Sequence, residues 1–352
     1  MAIVLRLLQE NEIQLANDFF NHIYKTTRSI ENFRWEFVNG PYGKAIYVVA
    51  IDDTIITQTK IVGIQCAIPL EFISTEGKTV RTAKSEDTLV DPSYRGQKIF
   101  ERMYEMLFKE CSKAGIKYIW GFTPAQKAFE RIGFEIPFKT EQALLVFNPV
   151  KAYAYLKNLN PQNKTADKLK ILALCILSFL KGLKIYFIKK GDLIPSSEKT
   201  NLQFFQDSGP DREYYTLHES KAYLSWRLTD NPFNNNYKSY LLKKSDKVVG
   251  DAIINHRKDV SYIKRFYLNS VEASHLFLTS LCMECLGNNS PLIRALCFNS
   301  NDLHRSQGRD LTRIGFTYLK RGNYFVWKSL DPQNEIKPEQ VFINRLFTQG
   351  NS

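Results

Sequence analysis

Three short motifs occur twice, in the same order, and they constrain this chain more than its composition does. Phe33-Arg34-Trp35-Glu36-Phe37, with Pro41 six residues after the tryptophan, is echoed by Leu224-Ser225-Trp226-Arg227-Leu228, with Pro232 six residues on. Lys60-Ile61-Val62-Gly63 returns as Lys247-Val248-Val249-Gly250. Phe129-Glu130-Arg131-Ile132-Gly133-Phe134 returns as Leu311-Thr312-Arg313-Ile314-Gly315-Phe316. The offsets of 191, 187 and 182 residues drift slowly, as loop lengths would. Three matches in register indicate a duplicated unit. A length of 352 residues suits two domains of roughly 100–200 residues each. The reading is a first copy at 1–149, a lysine-rich helical connector at 150–195, a second copy at 196–332 and a polar tail at 333–352.

Within the first copy, hydrophobic patterning predicts a helix over 10–28, then strands in IYVVAID, KIVGIQCAIPLEFI and KTVRTAKSEDTLV. DPSYRG is a turn, and IFERMYEMLFKECSKAG is an amphipathic helix closed by Gly115. IKYIWGF is a strand, PAQKAFERIG a short helix and ALLVFN a last strand. The second copy follows the same scheme and ends on NYFVWKSL. The class is α+β, with antiparallel strands first and a strand–helix–strand–helix–strand unit after them.

The turn that leads from strand to helix carries the chemistry. A helix N-terminus presents unpaired N–H groups and the positive end of the helix dipole, so it suits an anion such as a pyrophosphate. Arg95 and Lys98 add charge there, and Gly96 lets a ligand approach the backbone. The run from Ser85 to Phe134 resembles the core of the GNAT N-acetyltransferase superfamily. That family's turn reads Arg/Gln-x-x-Gly-x-Gly/Ala. Here it stands as Arg95-Gly96-Gln97-Lys98-Ile99-Phe100, with Lys98 and Phe100 at the family's later small positions. Ala125, Phe129, Gly133 and Phe134 match the segment that follows.

The resemblance implies two tandem GNAT-like domains, each a twisted, mixed, mostly antiparallel sheet flanked by helices. It implies acetyl-CoA as co-substrate and no metal. The backbone of Leu89 and Val90 would meet the pantetheine arm, and Arg95, Gly96, Gln97, Lys98, Ile99 and Phe100 would hold the pyrophosphate. An amine would attack the thioester directly, so a carboxylate should take its proton. Glu86 and Asp87 are the candidates, and strand alternation places one on each face. The family's proton-donating tyrosine is replaced by Phe129, which leaves Tyr94, Tyr118 or a water for that role. The second copy lacks the Arg-Gly turn and reads as degenerate, a buttress or a wall of the acceptor cleft between domains rather than a second cofactor site.

The net charge of +12 points to an anionic partner. Seven of those charges lie in residues 151–192, which hold nine lysines and two aspartates. That distribution argues against a broad nucleic-acid surface. Within this stretch Asp167, Lys170, Ser178, Lys181 and Lys184 form a narrow polar stripe on an otherwise apolar helix. The favoured reading buries that helix between the two domains, lysines outward; the other lays residues 166–188 on an anionic membrane surface. Six scattered cysteines and a start without a secretory pattern make a cytoplasmic setting the expectation, and Cys282-x-x-Cys285 reads as two core-facing residues of one helix. The histidines have no metal-ligand spacing. The functional expectation is an acyl-CoA-dependent N-acyltransferase acting on a small amine, such as an amino sugar of a cell-surface polysaccharide. A Fem-type aminoacyl-tRNA-dependent transferase and a non-catalytic GNAT-like binding protein are the alternatives.

Overall fold

A computed structural model describes residues 3–54, 59–159, 162, 164–188, 191–195 and 213–347, save 234, 235, 245, 246, 269, 270, 299–301, 320, 321, 332, 334 and 335. The described chain divides into two compact units, each drawn from three segments. The first holds Met1–Pro137, Tyr215–Phe233 and Tyr324–Pro338; the second holds Phe138–Tyr214, Asn234–Asn323 and Glu339–Ser352. The repeat limits 1–149 and 196–332 describe sequence copies and stand as a proposal. Packing groups the residues differently, because strands late in each copy join the other unit.

In the first unit, strands β1 (Ile3–Leu7), β2 (Ile46–Asp52), β3 (Ile61–Ser74) and β4 (Thr79–Val90) run antiparallel in that order. β5 (Tyr118–Thr123) lies parallel to β4. β6 (Glu135–Lys139) carries the chain onward from the first unit to the second. β9 (Tyr215–Leu217) pairs the far end of β3. The neighbour of β5 is β15 (Tyr324–Ser329), antiparallel from Tyr118↔Ser329 to Thr123↔Tyr324. This is NYFVWKSL of the second copy. The matching strand of the first copy, β7 (Glu141–Val146), lies in the sheet of the second unit. That sheet runs β14 (Thr317–Leu319), β7, β13 (Leu292–Cys297), β12 (Val260–Leu268), β11 (Lys247–Arg257), β10 (Asn236–Lys244) and β8 (Asp192–Pro195).

Helices cover both faces of the first sheet. The predicted helix over 10–28 is interrupted. A 3-10 turn at Glu10–Glu12 precedes α1 (Ile13–Tyr24), and Lys25 closes α1 in the left-handed conformation at φ 53°. The chain then starts a second helix, α2 (Ile30–Phe37), capped by the Ser29 hydroxyl, which accepts from the Asn32 N–H. α1 and α2 bury Ile13, Ala16, Phe33 and Phe37 against Val49 and Ile64. On the other face α3 (Ile99–Lys113) and α4 (Gln126–Arg131) bury Met103, Leu107, Phe129 and Phe134. Gly133 and Gly315 end the equivalent helices of the two copies at φ 81° and 114°, a region glycine enters without steric cost.

The repeated tryptophans meet inside the first unit. Trp35 and Trp226 stack with ring centroids 4.7 Å apart. Each indole N–H donates to the other residue's carbonyl at 2.9 Å. Both rings are buried and both polar atoms satisfied, which makes the pair a packing anchor. Trp35→Ala is expected to cost about 3–5 kcal/mol of stability in urea unfolding. Adding Trp226→Ala should cost less than the sum, since the two residues share their contacts. Strict additivity would argue against a shared clasp.

In the second unit α5 (Pro149–Asn158) and α6 (Thr165–Gly182) lie on one sheet face. The helix Val271–Gly287 covers the other, with Cys282 and Cys285 buried against Ile254, Ile263 and Ile293. α6 does not pack as the favoured reading expected. Its buried stripe is Cys175, Ser178 and Gly182, and the Ser178 hydroxyl donates to the Leu144 carbonyl at 3.2 Å. Small residues let the helix sit tightly on β7: a Cβ at Gly182 would lie 2.9 Å from Leu145 Cδ1. Ile171, Leu174 and Phe179 flank that stripe half-buried, and the other bulky side chains are turned outward. Leu169, Ile176, Leu177, Leu180 and Phe187 are exposed, Phe187 by 89%. No described helix is long and apolar enough to cross a membrane. The segment after Asp331, read as a polar tail, buries Val341, Phe342, Ile343 and Leu346.

Candidate active site

The site is built where β4 leaves its neighbour. β4 pairs with β5 only at Thr82↔Tyr118, Ala83↔Ile119 and Lys84↔Trp120. Both strands continue beyond that point, β4 to Val90 and β5 to Thr123, without pairing further with each other. From Ser85 onward the β5 side of β4 therefore has backbone groups free to meet a ligand. On its other side β4 stays bonded to β3, with Ile64↔Leu89 and Gly63↔Val90 in register.

A bulge marks the parting. Between Ile64↔Leu89 and Cys66↔Glu86 the ladder spans two steps on β3 and three on β4. Asp87 takes up the extra residue at φ 48°, in the left-handed region. The Tyr104 hydroxyl, from α3, secures the bulge by hydrogen bonds to Ser85 Oγ at 2.7 Å and Thr88 Oγ1 at 3.1 Å. The bulge breaks the alternation on which the expected one-per-face placement of Glu86 and Asp87 rested. The charges of both act on the same buried group, Glu36.

Three carboxylates thus share one pocket of charge. Asp87 is committed twice: Arg28 pairs with it at 2.9 Å, and the Tyr47 hydroxyl donates to it at 2.9 Å. Burial pushes the Asp87 carboxyl upward, and Arg28 and Tyr47 oppose that push. Arg28 in turn lies over the Phe20 ring at 3.9 Å, with Phe33 and Phe37 at 5.1 Å each. Glu86 is paired with Lys84, which is buried. Glu36, on α2, is buried and makes no hydrogen bond among the described residues. Burial pushes its carboxyl up to about 8, helped by the negative charges of Asp87 and Glu86 against those of Arg28 and Lys84. Glu36 was missed from the sequence, although its place beside the repeated Trp35, where the second copy has Arg227, was a visible difference between the copies. An apolar cavity of about 510 Å³ shares Phe33, Phe37 and Tyr47 with this cluster.

The turn after β4 holds the other expected residues. Asp91 caps Pro92–Tyr94 by accepting from the Ser93 N–H at 2.8 Å. Arg95, Gly96, Gln97 and Lys98 are exposed, with Gly96 at φ 82° and Lys98 at φ 56°. Lys98 thus adopts the conformation that glycine favours, and it precedes Ile99, the first residue of α3. Among the described residues the N–H groups of Gly96, Gln97 and Lys98 meet no acceptor, and the first turn of α3 has no intrahelical partner for its own. Phe100 turns its ring inward, onto Tyr104 at 4.9 Å and Phe129 at 5.7 Å, and so leaves the turn open. Tyr94 donates to Asp52 at 2.6 Å and accepts from Lys60 at 3.0 Å. Tyr118 is fully buried and accepts from the Ile336 N–H at 3.0 Å. Both candidate proton donors are therefore structurally engaged. Among the described residues no group of three His, Cys, Asp or Glu side chains could hold a metal ion.

The part of the chain that holds this strand and turn matches a known family. Residues 4–136 match the family model described as an acetyltransferase (GNAT) domain. Residues 4–136 are a GNAT domain, and the chain as a whole has the tandem GNAT fold. A GCN5-related N-acetyltransferase from Anabaena variabilis is 13% identical, with a TM-score of 0.60 over 94% of this chain and 73% of that one. A tandem GNAT protein from the clavulanic acid biosynthesis pathway is 10% identical, with a TM-score of 0.53 over 95% of this chain and all of that one. The N-myristoyltransferase of Saccharomyces cerevisiae, solved with bound myristoyl-CoA, is 12% identical, with a TM-score of 0.54 over 92% of this chain and 82% of that one. Among curated protein sequences none matches. The GNAT domain contains β4, its bulge, the turn at Arg95–Phe100 and Glu36 together.

Proposed function

We propose that the chain is an acyl-CoA-dependent N-acyltransferase, with acetyl-CoA as the first acyl donor to test and a small amine as acceptor. The observation that carries this reading is the released edge of β4 running into the unpartnered N–H groups of Gly96–Lys98. In this reading the backbone of Leu89 and Val90 receives the pantetheine arm. Arg95, Gly96, Gln97, Lys98, Ile99 and the backbone of Phe100 hold the pyrophosphate. The amine loses its proton to Glu36, attacks the thioester carbonyl, and the developing oxyanion meets main-chain N–H groups on the freed strand edge. Glu86 and Asp87, the carboxylates first expected to act as base, keep the proton affinity of Glu36 high. With Tyr94 and Tyr118 engaged, the leaving thiolate takes its proton from water. An amino sugar is the acceptor class to try first, on the strength of the family resemblance.

A melting curve tests the donor half. Acetyl-CoA at about 100 times its Kd should add about 2.7 kcal/mol of stability, read as a rise of several degrees. The doubly substituted Arg95→Glu, Gly96→Asp protein should show no rise, because a carboxylate then faces the pyrophosphate. An unchanged rise in that variant, or none in the parent, would refute the site.

We further propose that residues 166–188 lie on an anionic membrane surface. The exposed row Leu169, Leu172, Ile176, Leu177, Leu180 and Leu183 supports this, together with the net +7 of residues 151–192.

A further inference from the structure

The second unit holds an open cavity of about 540 Å³ that the acyltransferase reading does not use. One wall is the helix Asp302–Ile314, from which Arg305, Arg309 and Arg313 line the cavity at intervals of four residues. All three are exposed. The opposite side of that helix buries Leu311 and Ile314 in the core. The other wall comes from the sheet. Glu141, at the start of β7, is the register partner of Cys297, at the end of β13, and Tyr318 of β14 completes that wall.

The charges of the lining are unevenly satisfied. Arg305 has a partner of its own. Arg313 reaches the buried Asp310 at 3.6 Å and stays 53% exposed. Among the described residues Arg309 and Glu141 make neither an ion pair nor a side-chain hydrogen bond, although they line the same cavity. Opposite charges that share a cavity without meeting suit a ligand that carries both signs. The hydroxyls of Tyr318 and Thr312 are already spent, both donating to the Gly308 carbonyl, at 2.8 and 3.0 Å. The cavity also adjoins the end of α6. Thr312 lines it, and the Thr312 carbonyl accepts from Lys184 Nζ at 3.4 Å. A Cβ at Gly315 would lie 2.6 Å from the Lys181 carbonyl oxygen. The exposed side chains of Leu180, Leu183 and Phe187 therefore end beside this cavity.

We propose that this cavity receives the headgroup of phosphatidylserine at a membrane surface, an inference that rests on the membrane reading of residues 166–188. That headgroup carries a phosphate, a carboxylate and an ammonium group. Arg309 and Arg313 offer planar paired donors to the two anionic groups, and Glu141 meets the ammonium. Phosphatidylglycerol has no ammonium for Glu141, and phosphatidylethanolamine has no carboxylate for a second arginine. Lipid tails among Leu180, Leu183 and Phe187 set the headgroup level with Lys184, beside Thr312.

The test is co-sedimentation of the full chain with phosphatidylcholine vesicles that contain an equal fraction of phosphatidylserine or of phosphatidylglycerol. Both anionic lipids carry the same net charge, so attraction to the lysines alone treats them alike. The parent should bind the phosphatidylserine vesicles about fivefold more tightly, or better. Glu141→Gln should remove that preference without weakening binding to phosphatidylglycerol. Arg309→Gln should weaken binding to both, and to phosphatidylserine by the larger factor. Melting curves check that each variant is folded, and Arg309→Gln, at an exposed helix position, decides alone if Glu141→Gln does not fold. Equal binding of the parent to the two kinds of vesicle, or a preference that both variants keep in full, would overturn the proposal and leave the membrane reading standing. A parent that binds neither kind would reject both.

Discussion

Glu36→Gln should lower kcat about 10²–10³-fold while leaving the acetyl-CoA-induced rise in melting temperature intact. The substitution keeps the size of the side chain and removes the group that takes the proton, a step worth about 10²–10⁴ in rate. In the parent protein kcat/KM should climb with pH as Glu36 loses its own proton, with an inflection near 8. The variant should lack that inflection, measured as free CoA released with glucosamine and a panel of simple amines. Stability gives a second readout that needs no acceptor. The folded state raises the affinity of Glu36 for its proton, so the group costs nothing below its unfolded range near 4.5 and destabilises increasingly as pH rises toward 8. Glu36→Gln should therefore gain melting temperature over the parent as pH goes from 5 to 8. Full activity in the variant at pH 8, with an unchanged pH profile, would return the role of base to Glu86 or Asp87.

Ile176→Asp with Leu180→Asp should abolish co-sedimentation with phosphatidylserine-containing vesicles while leaving the protein folded. Both side chains are exposed, so no core contact is lost. Burying a leucine or isoleucine is worth about 1.5–3 kcal/mol, and removing two should weaken partitioning more than 100-fold. The lysines contribute through the anionic surface potential, about 1 kcal/mol for each one near the surface, so binding of the parent should also fall with added salt. Binding to neutral vesicles should be weak. A parent protein that ignores anionic vesicles would reject the membrane reading and leave the apolar face to a protein partner.

The sequence alone made the duplication plain, because packing anchors leave local signatures. Trp35 and Trp226, the K-x-V-G strands and the R-I-G-F helix ends each recur as a short run of residues in the same order. The strand, turn and helix around Arg95 were legible for the same reason: an N–H-rich turn needs only local backbone geometry. Which strand completes which sheet was not legible. β7 and β15 are both short, apolar and suited to the same antiparallel slot, and only the pairing of β5 with β15 and of β13 with β7 decides between them. Glu36 was hidden because its unusual proton affinity comes from burial and from Asp87 and Glu86, about fifty residues away in the chain. The bulge at Asp87 was hidden too, since it exists only against β3, and it places two adjacent carboxylates beside the same buried group where strand alternation would separate them. The orientation of α6 turned on small residues, Cys175, Ser178 and Gly182, that a hydrophobicity pattern ranks below leucine. Close approach to β7 selected them for the interior, and so Leu169, Leu172, Leu177 and Leu180 were left outside.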